Sequence, residues 1–205
     1  MPRASTGSML SASVPRRVVA GVLVALVASL SSAPLPAAPA SRSVERFEVN
    51  VSDSAVKAGA ARVLAKAPSA TLRSVVTDYG RYSSIITQFK QARVLGRSQE
   101  KTDVYLEVPI LEGAGKVWAV VRFSAPETVN GEEIVRGRLI KGNVKRLDAT
   151  WRIKKVNDLE SELTLELLIV PDLPAPKSMI TKELRKAAGK AVNGARIEAE
   201  RRNRG

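Results

Sequence analysis

The sequence predicts an α+β fold: a strongly curved antiparallel sheet wrapped around one long C-terminal helix, with two short helices after the early strands. Three observations predict it. From about residue 92 to 170 the chain reads as strands joined by hairpin-length turns, which implies antiparallel pairing. Before that run, two brief passages carry helical rather than alternating periodicity. After it, Pro171, Pro174 and Pro176 release a helical run to Arg204, on which Ile180, Leu184, Ala187, Ala188, Ala191 and Ala195 share one face. That face begins bulky and ends small, with Gly189 and Gly194 beside it. A helix of this kind laid across a curved sheet is expected to leave volume beneath it.

The first forty residues stand apart from the fold. Arg16 and Arg17 form a basic flank, Val18 to Leu30 is apolar or small throughout, and Ala38-Pro39-Ala40 is a small-x-small cleavage site. That order is the pattern of a secretory signal peptide. Its 13-residue apolar core is shorter than the roughly 20 residues an ordinary membrane span needs. Cleavage after about Ala40 gives an exported protein, periplasmic or secreted; an uncleaved N-terminal anchor is the alternative. Residues 1–40 are therefore assigned to the signal and 41–205 to a single domain, long enough for a real core and too short for two.

Within that domain, Val44 to Val51 alternates between apolar and polar residues, as a half-buried strand does. Ser52-Asp53-Ser54 is turn-like, and Ala55 to Ala65 reads as a second strand. Pro68-Ser69-Ala70 opens a helix with Leu72, Val75, Val76 and Tyr79 on one face, ended by Gly80. A second short helix, near Tyr82 to Gln88, carries Ile85, Ile86 and Phe89. A brief strand covers Ala92 to Leu95. In the next, Val104, Leu106, Val108 and Ile110 face one way, with Asp103, Tyr105 and Glu107 opposite. The turn from Leu111 to Gly115 leads into Lys116–Ser124, apolar on both faces and so expected to be central. Asn130-Gly131 signals a tight hairpin. Strands follow at Ile134–Ile140, Leu147–Lys155 and Leu163–Val170, the last with Leu163, Leu165, Leu167 and Ile169 on one face.

Composition removes much of the chemistry available to proteins. The 205 residues hold no cysteine and no histidine. Disulfides, Ser-His-Asp and Cys-His arrangements and the usual zinc sites are thereby excluded. No phosphate-binding glycine loop, dinucleotide fingerprint or calcium loop is present. No metal, cofactor or catalytic residue is assigned. The formal net charge is +13, of which the signal region contributes three arginines and no acid. Positive residues concentrate between Arg136 and Lys155 and along the last helix. Such a field suits anionic partners, an anionic membrane surface above all, or is simply a solvated exterior. Nucleic acid is not the expected partner, and a monomer is expected.

Ala67-Pro68, Leu72 to Tyr79, Tyr82, Arg93-Val94-Leu95, Thr150-Trp151-Arg152-Ile153, Val170-Pro171 and Pro174-Ala175-Pro176 before the long helix form an ordered series. In it the chain resembles the START-like (SRPBCC, helix-grip) superfamily, and within it the coenzyme Q-binding and polyketide cyclase/dehydrase branch, over roughly residues 55–200. The resemblance implies a deep apolar cavity between the sheet and the last helix, holding a lipid, a quinone or another hydrophobic molecule. At Ile85-Ile86-Thr87-Gln88 the sequence departs from an aromatic-proline pair common in the family, so the entrance is expected to differ.

Strand parity and helix face assign Tyr79, Tyr82, Ile86, Leu106, Val108, Leu139, Trp151, Leu165, Leu167 and Leu184 to the cavity lining; the same positions would equally fill a dry core. Trp151 is the leading wall residue, because its N–H needs a partner. Asp78 either orients a tyrosine hydroxyl or is a plain turn residue before Gly80. Arg138 and Arg152 either anchor an anionic head group or face water. The leading function is an exported binding protein for a hydrophobic small molecule or lipid, without covalent chemistry. One alternative is a polyketide cyclase or aromatase-like enzyme using Tyr82, Tyr105 or a buried carboxylate. Another is a binder of polyanions or of the anionic envelope surface.

Overall fold

The computed structural model describes residues 42–110, 115–172 and 174–204. The segment read as a signal peptide and the residues 111–114 of the glycine turn lie outside them. In chain order the elements are β1 (Glu45–Val49), β2 (Ala58–Ala65), α1 (Ser69–Val76), a 3-10 turn (Tyr79–Arg81), α2 (Tyr82–Ile85), β3 (Gln91–Arg97), β4 (Lys101–Ile110), β5 (Gly115–Ser124), β6 (Glu127–Val129), β7 (Glu132–Gly142), β8 (Val144–Lys155), β9 (Ser161–Pro171) and α3 (Lys177–Arg202). The strands form one sheet in the order β1-β2-β9-β8-β7-β5-β4-β3, with β6 paired on β7. Every pairing is antiparallel. This is the α+β architecture expected, and β5 is interior to the sheet as expected.

Local chemistry explains the element ends. Asn130 and Gly131 both take positive φ, +52° and +79°, as the tight turn between β6 and β7 requires. Strand β2 starts later than its apolar pattern suggests. Asp53 is left-handed, and the Ser54 hydroxyl accepts from the Val56 N–H and donates to its carbonyl, which prolongs the turn to Val56. Helix α1 stops at Val76, where Thr77 turns its hydroxyl back onto the Arg73 carbonyl. Helix α2 is a single turn rather than a passage reaching Gln88. The β-branched run Ile85-Ile86-Thr87 favours extended backbone, and Ile86 adopts it.

Two clusters make the core. The larger one fills the concave side of the sheet, with Val63, Leu72, Val76, Trp151, Ile153, Leu163 and Ala188, Ala191, Ala195 and Ala199 of α3 all buried, whereas Ala187, expected on the same helix face, is only half-buried. The smaller joins Val56, Ala58, Leu168 and Leu184. Leu168 is therefore buried although it lies on the opposite face of β9 from Leu165 and Leu167. Among the described residues no helix is long and apolar enough to cross a membrane.

Helix α3 lies over β2 and β9 and reaches β1. Its small face serves proximity. Ala188, Ala191, Ala195 and Ala199 are all buried against the sheet side. At Gly59 a Cβ would overlap the backbone of Leu184 and Arg185, so helix and strand meet backbone to backbone. Gly194 admits the Ile85 carbonyl in the same way. The volume expected directly under the alanines is thus closed by close approach, and any space must lie further along the sheet. Replacing Gly59 by Ala is expected to cost about 2–4 kcal/mol, because only backbone can yield there. Urea unfolding of Gly59→Ala beside Gly96→Ala, whose Cβ would meet open space, measures the difference.

Candidate functional site

The helices cover the concave side of the sheet unevenly. Helix α3 sits on β2 and β9, α1 packs on β8 and β9, and the 3-10 turn and α2 close on β3. Exposure along the strands follows that coverage. At the end nearest the 3-10 turn, Tyr79, Tyr82, Val104, Phe123 and Trp151 are all at most 3% exposed. One or two residues further along, Leu106, Leu147 and Ala149 rise to 7–8%. Beyond them Val108, Val117, Leu139, Leu167 and Ile169 are only half-buried. The result is an apolar concave face, tightly covered at an aromatic end and less covered toward the other, where β4 leads into β5 and α3 begins.

Register builds the closed end. Gly137 of β7 stands opposite Phe123 of β5. A Cβ at Gly137 would overlap the Phe123 ring, so the missing side chain lets that ring lie flat on the sheet. Tyr79 stacks on Phe123 with centroids 4.4 Å apart and planes at 19°. Tyr82 meets Tyr79 edge-on at 5.5 Å and Phe89 face-on at 5.9 Å. The Tyr82 hydroxyl donates to the Val76 carbonyl at 2.5 Å and accepts from the Trp151 side chain. The partner that Trp151 needed is thus Tyr82. Burial pushes both phenols well above their ordinary range, a shift opposed at Tyr79 by Arg97. Both tyrosines are neutral donors at physiological pH, not bases.

The sequence-derived lining residues fall into three groups. Tyr79, Tyr82, Ile86, Leu106, Trp151 and Leu165 lie together in the main cluster, and Val108, Leu139 and Leu167 stand half-buried toward the less covered end. Leu184 packs instead with Val56, Ala58 and Leu168. Sequence reasoning missed Phe123, Gly137 and Ala149 in the floor and Val117 and Ile169 at the rim. Their signal exists only across strands, in the pairings Phe123–Gly137, Ala149–Leu167 and Val117–Val108.

Apart from Tyr82, the groups considered for proton transfer or anion anchorage stand elsewhere. Tyr105 is on the convex face, stacked on Trp118 at 6.2 Å, with its hydroxyl on Glu107 at 2.7 Å. Glu107 is the one buried carboxylate among the described residues. Hydrogen bonds from Tyr105 and Lys116 hold its pKa low. Arg152 pairs with Glu166 at 3.2 Å, also on the convex face. Arg138 borders a shallow convex hollow of about 440 Å³ with Arg136, Arg146 and Glu166. Among the described residues no group of three or more acidic side chains is placed to hold a metal ion.

Asp78 is neither a tyrosine clamp nor an idle turn residue. It accepts from Arg202 of α3 at 2.7 Å, and Arg202 also donates to Glu198 at 2.8 Å. Glu198 further takes a forked pair from Arg201 and lies 3.4 Å from Arg81. This ion cluster ties the 3-10 turn, and hence Tyr79, to the end of α3.

Residues 65–196 match the family described as polyketide cyclase / dehydrase and lipid transport, and the chain belongs to that family. No curated protein matches the sequence. Solved structures show the same helix-grip fold at low identity. A STAR-related lipid transfer protein from Xanthomonas axonopodis superposes with a TM-score of 0.67 at 14% identity, covering 79% of this chain and 96% of the other. Human STARD10 gives 0.64 at 14%, covering 76% and 69%. The ZhuI aromatase/cyclase from Streptomyces sp. R1128 gives 0.55 at 17%, covering 78% and 95%.

The ion cluster makes a pH-dependent prediction. Hydrogen bonding from Arg201, opposed by desolvation and reinforced by Arg202, lowers the Glu198 carboxyl from 4.5 to about 2. A depressed native pKa stabilises the fold above pH 4.5, and that stability is lost as pH falls from there toward 2. Glu198→Gln is expected to cost about 1–2 kcal/mol at pH 7 after allowance for solvent screening. Urea unfolding at pH 7, 4 and 2.5 should show the gap between the two proteins narrowing; a constant gap would mean that Glu198 acts by packing alone.

Proposed function

We propose that this protein binds a hydrophobic small molecule or lipid at the less covered end of the concave apolar face and carries it outside the cytoplasm without covalent chemistry. The observation that carries the reading is the graded apolar lining. From Tyr79, Tyr82 and Trp151 to the half-buried Val108, Leu139 and Leu167, the inward positions of β4, β5, β7, β8 and β9 along this stretch hold no charged side chain. Binding would draw on apolar burial, about 25 cal/mol per Å² before ordering costs. Tyr79, Tyr82, Ile86, Leu106, Val108, Leu139, Trp151, Leu165 and Leu167 are the proposed lining, with Ala149 and Phe123 in the floor. Leu184 bounds the site only through α3.

Relatives of this fold include proteins named for lipid transfer and one named as an aromatase/cyclase. The binding reading is favoured because the two tyrosines at the closed end are held neutral and the buried Glu107 faces the opposite side of the sheet. Export rests on the arrangement of Arg16-Arg17, Val18–Leu30 and Ala38-Pro39-Ala40.

Protein purified without detergent should release a lipid or quinone into organic solvent, read by mass spectrometry, and should take up a fluorescent fatty acid saturably. Ala149→Phe puts a ring into the floor beside Gly137 and Leu167. It should weaken uptake about tenfold by occupying the volume a ligand would take, while a retained cooperative unfolding transition shows that the fold persists. No extractable ligand together with no uptake by the unaltered protein would overturn the reading.

A further inference from the structure

The charges of the convex face are paired so that one guanidinium is left over. Register sets Asp103 of β4, Arg122 of β5, Arg138 of β7 and Asp148 of β8 in one cross-strand row. Arg122 closes on Asp103 through two bonds of 2.8 Å, and Asp148 is taken by Arg146 at 2.6 Å. Both acids of the row are thereby engaged, and Arg138 stands directly opposite another guanidinium. Like charges set opposite each other across a ladder are destabilising. The acids around the row are engaged as well: Arg136, two residues before Arg138 on the same face, pairs with Glu127, and Arg152 pairs with Glu166 at 3.2 Å. Arg138 itself is exposed and has no hydrogen bond or ion pair among the described residues. It lines the convex hollow of about 440 Å³, a volume within the range of small-molecule sites. Val51, Ala58 and the buried Leu168 give that hollow an apolar side, and Asp148 and Glu166 an acidic one.

We propose that the convex hollow binds a small organic monocarboxylate, its carboxylate forked on Arg138 and its short apolar stem against Val51, Ala58 and Leu168. A planar guanidinium offers two parallel donors that match a carboxylate. The single charge follows from the surroundings. One guanidinium there is uncommitted, whereas the second charge of a dianion would face Asp148 and Glu166. A bound carboxylate also offsets the repulsion between Arg138 and Arg122, which nothing else in the row relieves. The stem is short because the hollow is shallow and its apolar side is only three residues wide. The sheet itself separates this site from the concave face, so the two bind independently and the proposal does not rest on the function proposed above.

Titration with butanoate at constant ionic strength, followed by NMR, tests the site. The Arg138 Nε–H signal and the Leu168 methyl signals should shift saturably, whereas butanol and chloride should move neither. Butanoate should bind at least about threefold tighter than acetate, because part of its stem is buried, and succinate should bind more weakly than butanoate. Arg138→Gln, read through the Leu168 methyls, should lose at least about tenfold in affinity, as removal of a forked charged donor does. Arg138→Lys, which keeps the charge without the fork, should recover only part of it. Lys154→Gln removes the same charge from an exposed position further along β8 and should stay within about twofold of the unaltered protein. No saturable shift at Arg138, equal losses in Arg138→Gln and Lys154→Gln, or acetate and butanoate binding alike would overturn the proposal. Fatty-acid uptake should be unchanged in Arg138→Gln; its absence from the unaltered protein would sink the concave-face reading and leave the convex site standing.

Discussion

Helix α3 touches β2 through backbone at Gly59, and the placement of the remaining walls follows from that contact. A helix resting on ordinary side chains stands about 10 Å from a sheet and can slide by a rotamer. One resting on backbone cannot. Leu184 and Arg185 are fixed over Gly59, Gly194 is fixed against the Ile85 carbonyl, and Arg46 of β1 crosses at Gly189. Three glycines on two elements thus set the depth and direction of a 26-residue helix. The alanines between them are short because the gap they span is short.

The graded cover of the concave face is the geometric consequence. A sheet that curves under a helix held tightly over β2 and β9 must leave that helix at β8 and beyond. There the chain supplies side chains from the other direction. Gly137 lets Phe123 lie down, Tyr79 lies on Phe123, and Tyr82 is locked between the Val76 carbonyl and Trp151. These aromatic rings fill one end with their polar tip satisfied, so nothing at Tyr82 asks for water. Toward Val108, Val117 and Ile169 no such plug exists, and apolar side chains stay half-exposed.

Much of this was legible in the sequence, for reasons that belong to individual residues. Alternation in β4 and β9, the Asn130-Gly131 turn and the proline-released helix are local signals, and each survives in the structure. The family resemblance drawn from Leu72 to Tyr79 and from Thr150 to Ile153 falls within the matched residues. What stayed hidden depends on register or on contacts between distant elements. The small face of α3 reads as room until Gly59 is placed beneath it. Gly137 reads as a weak strand residue until it is set opposite Phe123. Leu168 breaks the parity of its strand because it is buried in the second cluster with Val56, Ala58 and Leu184, which no periodicity in β9 reveals. Tyr105 reads as open for chemistry, yet the alternation of β4 already sets it and Glu107 opposite Leu106 and Val108, and pairing with Val120 and Trp118 keeps both off the concave face.

Charge shows the same divide between composition and placement. A net charge of +13 describes a field without saying where it can act. The arginines are largely committed: Arg122 grips Asp103 with two bonds of 2.8 Å, Arg201 forks onto Glu198, and Arg93 lies over the Tyr105 ring at 5.8 Å. A planar guanidinium loses less on being fixed in such pairs than an ammonium does. Several lysines, Lys66, Lys101, Lys154 and Lys182 among them, are left in water, each a compact charge on a flexible stem. Paired arginines use their charge within the fold, and the unpaired lysines leave theirs to the surrounding solvent. Glu198 at the end of α3, held by Arg201 and Arg202, is the partner whose charge matters most to the fold, because its carboxylate is the least exposed in these arginine contacts.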